Sequence, residues 1–139
     1  MGATNFSMTV AAKTVDEAYR VANEMARDYN GHQDGYSGDI QTTNGFVEFK
    51  LRPRLSVEKF ERWVWDCVFE PEGAFLKRRG IQDHDVPLIR RAAVVANEKW
   101  GRCVCVEITG KAATDWKKSH GYAGKRGVRV YKFFGTGAE

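Results

Sequence analysis

Basic and aromatic residues crowd the last 30 positions of this chain. Residues 110–139 hold seven Lys or Arg (Lys111, Lys117, Lys118, Lys125, Arg126, Arg129 and Lys132) against Asp115 and Glu139, a net of +5. Residues 1–109 hold 15 basic and 16 acidic residues, a net of −1, so the formal +4 of the chain lies in this one segment. Trp116, Tyr122, Tyr131, Phe133 and Phe134 stand among the charges. Cations neutralise phosphates and flat aromatic rings stack on bases. The segment is therefore a candidate nucleic-acid contact, with Lys117, Lys118, Lys125, Arg126 and Arg129 on phosphates and Trp116 or Tyr131 on a base. No RNA-recognition, zinc-finger or helix-turn-helix signature accompanies it, and a solvated basic end that keeps the chain in solution is the competing reading.

Three other groupings have the right residue types for chemistry. Gly31, Gly35 and Gly38 space a loop whose backbone amides suit an anion. The spacing fits neither the dinucleotide nor the P-loop pattern, and a strand is expected where those motifs need a helix. A nucleotide-binding or small-enzyme role for Gly31–Gly38 is the third reading of the chain. His32, His84 and His120 lie near Asp34, Asp83 and Asp85, the types used for acid–base work or metal binding, but no ligand spacing is present. No metal or cofactor is expected. Cys103, Cys105 and Glu107 alternate onto one strand face, and two cysteines on one face are badly placed to bond each other. Buried thiols in a reducing cytoplasm are the expectation. No catalytic constellation emerges, which points away from an enzyme.

The elements that must position these residues are legible in the periodicity. Phe6, Met8 and Val10 alternate in a strand over 5–11. Thr14 and Glu17 form a capping box ahead of a helix with the stripe Val15, Ala18, Tyr19, Ala22, Met25, Ala26 and Tyr29, closed by Asn30-Gly31. Two β-prone runs, 39–43 and 46–51, flank Asn44-Gly45, a strong hairpin signal. Ser56 caps a second helix with Val57, Phe60, Val64, Cys67 and Val68 inward and Trp63 at the edge of that arc. Its far side carries Arg62, Trp65 and Phe69, a candidate protein interface because Trp and Arg dominate binding hot spots. Residues 70–84 form a long charged connection, read as a mobile loop or a short helical turn. A third helix starts at Asp85-Val86-Pro87, buries Leu88, Ile89, Ala92, Val95, Ala96 and Trp100, and stops at Gly101. Residues 102–109 are apolar enough for a central strand covered on both faces. A short basic helix around Trp116 and a last strand, Val128–Phe134, complete the order β-α-β-β-α-α-β-α-β. The expected fold is one α+β domain over 1–139, with about five strands in a mixed or antiparallel sheet and three to four helices.

Several stretches carry a likeness to a known group. These are Met1-Gly2-Ala3-Thr4-Asn5-Phe6, the first helix running into Gly35-Tyr36-Ser37-Gly38-Asp39-Ile40, Lys99-Trp100-Gly101 leading into Val104-Cys105-Val106-Glu107, and Gly124-Lys125-Arg126-Gly127 with Val130-Tyr131-Lys132-Phe133-Phe134-Gly135. Over most of its length the chain resembles small proteins encoded by phages of actinobacteria. The ending Thr136-Gly137-Ala138-Glu139 departs from the Trp-Ala-Ser-Ser type of that group, and the 70–84 connection is atypical of it. The group has no assigned function, so the resemblance implies a phage origin and the host cytoplasm but no catalytic residue.

Composition bounds the rest. At 139 residues, 42% apolar and 29% charged, the chain is an ordinary globular domain able to hold a core without metal or disulfide. No apolar run approaches the roughly 20 residues of a membrane span, and no secretory signal opens the chain. The leading expectation is a non-enzymatic accessory protein that binds a host macromolecule in the cytoplasm, a protein or protein assembly before naked nucleic acid. No membrane partner is expected, and a homo-oligomer is open. The alternative is a nucleic-acid-binding module built on the basic C-terminal segment.

Overall fold

The computed structural model describes residues 2–30 and 38–138. Four strands, β1 (Ala3–Ala12), β2 (Phe46–Phe49), β3 (Cys103–Ile108) and β4 (Arg129–Ala138), form one sheet in the order β1-β4-β3-β2. β4 runs antiparallel to both β1 and β3, and β2 is parallel to β3. So β1, β2 and β3 all point one way, and the chain's last strand fills a central position.

Helices cover both faces, because side chains on β3 and β4 alternate between two apolar cores. α1 (Val15–Asn30) sets Ala18, Ala22 and Ala26 against Val10, Cys103, Cys105, Tyr131 and Phe133. Thr14 Oγ1 accepts the Glu17 amide at 3.2 Å, and Glu17 reaches back to the Lys13 amide, so the expected cap forms one residue wider than its usual shape. On the other face α2 (Val57–Phe69) and α4 (Val86–Ala96) bury Phe60, Val64, Ile89, Ala92 and Ala96 against Phe49, Val104, Val106 and Phe134. α5 (Gly110–Ser119) links β3 to β4. The α+β class and the two-sided cover of β3 hold as expected.

Three boundaries differ. The run 39–43 is a 3-10 turn over Ile40–Thr42, not a strand, so the sheet has four strands and no hairpin at Asn44-Gly45. Asp39 caps the turn by accepting the Gln41 amide at 2.8 Å, and the Thr42 and Thr43 hydroxyls donate to Asp39 O and Ile40 O. These short polar side chains satisfy the backbone locally and remove its need for a strand partner. The last strand runs on to Ala138, because Gly135 and Gly137 are close-packing positions and not stops. A Cβ on Gly137 would lie 2.6 Å from Asp39 N, and one on Gly135 3.1 Å from Cys103 Cβ. α4 ends at Ala96, leaving Trp100 outside it at φ +69 and largely exposed. The 70–84 connection takes the helical of its two expected forms: α3 (Ala74–Arg78) drives Phe75 into the core, and Arg78–Glu70 and Arg79–Asp66 ion pairs at 2.9 and 3.0 Å clamp it to α2.

Candidate polyanion-binding cleft

The pairing of the strands decides which loops meet. β1, β2 and β3 finish at one end of the sheet, where β4 begins. The chain leaves β1 through Lys13-Thr14, β2 through Lys50–Ser56 and β3 through Thr109, and enters β4 through His120–Val128. These four loops carry six Lys or Arg (Lys13, Lys50, Arg52, Arg54, Lys125 and Arg126) and no Asp or Glu. The carboxyl ends of parallel strands are where α/β sheets open a ligand crevice, and here β2 and β3 open one.

A cleft of about 840 Å³ lies at this end, between the β2–α2 loop and the β3–α5 junction. Its walls set Lys50, Arg52, Arg54, Lys111 and Lys132 against Glu48, Glu58 and Glu107. Much of this charge is internally matched. Arg52 Nε and Nη2 donate to the two Asp85 oxygens at 3.0 and 2.9 Å, which also pins the start of α4 to this end. Those bonds hold the Asp85 carboxyl below its ordinary value and raise the Arg52 guanidinium further. Lys132 pairs with Glu61, Glu58 lies 3.7 Å from Arg62, and Glu107 lies 3.9 Å from Arg129. Among the described lining residues, Lys50 and Arg54 are cations without an ion-pair partner, both on the exposed loop.

Two helix N-termini face the cleft, in different states. Ser56 Oγ accepts the Lys59 amide at 3.1 Å, so α2 is capped. Thr109 gives α5 no such bond, and Gly110 at φ +67 makes the turn from strand into helix. The first amides of α5, beside Lys111, therefore carry their partial positive charge toward the cleft. Trp116 closes the same wall.

The residues singled out in the sequence separate into distinct places. Trp116 stacks on His120 at 3.9 Å between centroids and on Tyr122 at 5.9 Å, with Lys125 5.4 Å above the Tyr122 ring. Its rings thus already have protein partners. Tyr131 is 2% exposed in the α1-side core, so it packs the fold and presents no ring to a base. Lys117 donates to Val128 O at 3.1 Å and ties the loop to α5. Lys118, Lys125, Arg126 and Arg129 are exposed. Lys50, Arg52 and Arg54 were missed by sequence reasoning, because nothing in the local sequence shows that residues 50–54 meet 109–116. The parallel β2–β3 register brings them together.

The three residues of the expected interface on α2 differ in exposure. Trp65 packs 6.0 Å from Phe134 at the edge of the core, whereas Phe69 is 68% exposed and stacks on Trp65 at 6.3 Å. Arg62 is exposed beside Glu58. Cys67, Cys103 and Cys105 are free and buried. Burial pushes the Cys103 thiol up to about 12 and the Cys105 thiol higher still, the opposite of an activated nucleophile. His84 sits 3.6 Å from Asp85. His32, Asp34 and the loop 31–37 lie outside the described residues; Gly38, at φ +72, donates its amide to Ala138 O. Among the described residues no group of three His, Cys, Asp or Glu is placed to hold a metal, and no helix is long and apolar enough to cross a membrane.

The chain matches no family model, no curated protein and no solved structure.

Proposed function

We propose that the protein binds a polyanion, the phosphate backbone of a nucleic acid, across the end of the sheet where β1, β2 and β3 finish. The supporting observation is that the four converging loops carry six cations and no acids, beside a cleft whose Lys50 and Arg54 have no ion-pair partner among the described residues and into which α5 turns uncapped amides. Such a surface attracts phosphates through charge and backbone amides, without reading sequence. The binding set combines Lys118, Lys125, Arg126 and Arg129 with Lys50, Arg54 and Lys111, and it omits Tyr131. Fluorescence anisotropy with labelled duplex DNA, single-stranded DNA and RNA tests this. Lys50→Glu with Arg54→Glu and, separately, Lys125→Glu with Arg126→Glu should each weaken binding at least about tenfold, since each reversal removes contacts to phosphate and adds repulsion. Binding unchanged in both variants would remove the proposal.

A second reading keeps the leading expectation from the sequence, a non-enzymatic accessory protein that binds another protein in a host cytoplasm. It is favoured by one observation, the Phe69 ring exposed and stacked on Trp65. The cytoplasmic setting rests on the sequence resemblance alone.

A further inference from the structure

We propose that β1 is the contact strand of a homodimer, pairing antiparallel with its own copy so that two four-stranded sheets join into one of eight strands. β1 is an edge strand of ten residues, and Ala3–Ala12 holds no charge, no Pro and no Gly. It pairs residue for residue with β4 from Ala3 to Ala12, so no bulge interrupts it. Edge strands that stay single are usually short, charged, bulged or broken by Pro, because a free row of N–H and C=O groups recruits other strands. The opposite edge obeys this: β2 has four residues and carries Glu48. β1 has none of these protections. Among the described residues, the backbone of Asn5–Ala11 makes hydrogen bonds only within the β1–β4 ladder. Alternate peptide groups of that stretch therefore face outward.

The strand suits itself as a partner. A two-fold axis through Ser7 sets Phe6 of each copy beside Met8 of the other, Thr4 beside Val10, and Asn5 beside Thr9. Phe6 and Met8 then meet on the α1 side with Val10 against Thr4 beside them, and Asn5, Ser7 and Thr9 meet on the other, so the pleat continues across the junction. A charged peptide would find no counter-charge on this strand. α1 supplies a second contact. It packs on β1, and its side toward the edge carries Met25, 48% exposed, and Tyr29, 89% exposed. Both line a groove of about 680 Å³ with Phe6 and Met8, with Asp28 on its rim. Only the short β2 edges then remain open, so the pairing closes at a dimer.

Sedimentation equilibrium on the purified chain, over a hundredfold range of concentration, tests the proposal. The expected mass is twice 15.7 kDa. Ser7 and Met25 are exposed, so Ser7→Lys and Met25→Glu leave the core of the fold intact, and a thermal melt checks this. Ser7→Lys places two like charges face to face at the axis and should return the monomer. Met25→Glu should raise the dissociation constant at least about tenfold, as loss of a buried apolar contact does. A monomer at every concentration would overturn the proposal. So would a dimer whose dissociation constant neither substitution changes. Neither residue belongs to the basic end, so the result is independent of nucleic-acid binding.

Discussion

Asp85 shows how one residue organises the basic end. It is 4% exposed, and both of its oxygens accept bonds from Arg52. Its folded carboxyl titrates below the unfolded value of about 3.9. The stabilisation is therefore fully present above about pH 4 and is lost as pH falls through the lower folded value. Urea unfolding should show a lower midpoint for Asp85→Asn than for the parent at pH 7, with the gap closing toward pH 3. A gap that stays constant with pH would show that the ion pair contributes nothing. Gly137 is a second decisive residue. Its φ is unexceptional, but Gly38 and Asp39 pass so close that no Cβ fits. Gly137→Ala should cost about 2–3 kcal/mol by overpacking. Gly127→Ala, in open space at φ +75, should cost only about 1 kcal/mol of backbone strain. Thermal melts of the two variants separate these causes.

At the scale of elements, β3 was legible because Cys103-Val104-Cys105-Val106 is apolar on both faces, and each of the four is fully buried. α1 and α2 were legible because their apolar stripes follow the helical period and end at side-chain caps. The 3-10 turn at Ile40 and the second half of β4 were not. Asn44-Gly45 signals a hairpin, but the local bonds of Asp39, Thr42 and Thr43 hold a turn there, and Gly135 signals a stop that close packing overrules. Trp65 likewise has an outward position on the helical wheel of α2, but β4 brings Phe134 against it. The burial of β3 has a chemical consequence. With the Cys103 thiol pushed up to about 12, its thiolate fraction at pH 8 is about one part in 10⁴. Cys67 and Cys105 are shifted upward too. A disulfide-exchange reagent should label none of the three in the folded chain, and all three in denaturant. Because the unfolded thiols ionise first, near pH 8.5, stability should fall as pH rises above that value. Rapid labelling of Cys103 or Cys105 in the native chain would show that β3 opens.

At the scale of the whole molecule, cations from distant parts of the sequence come to one end of the sheet. The C-terminal cations were visible as a segment, and exposure of Lys118, Lys125, Arg126 and Arg129 keeps them candidates. Their companions Lys50, Arg52 and Arg54 come from the middle of the chain, so the cleft existed in no stretch of sequence. It is made by the parallel pairing of β2 with β3 and by a last strand that runs back into the centre of the sheet. A surface of this kind makes affinity a function of salt. With four to six phosphates neutralised, duplex DNA affinity should fall by about 10²–10³-fold between roughly 50 and 200 mM salt. That titration, run on the native chain, is the measurement to make first. Binding that weakens by this factor, with a shallower salt slope in Lys50→Glu/Arg54→Glu, places the polyanion at the end of the sheet. No binding at low salt, or binding indifferent to salt, contradicts it and leaves the basic loops a solvated surface.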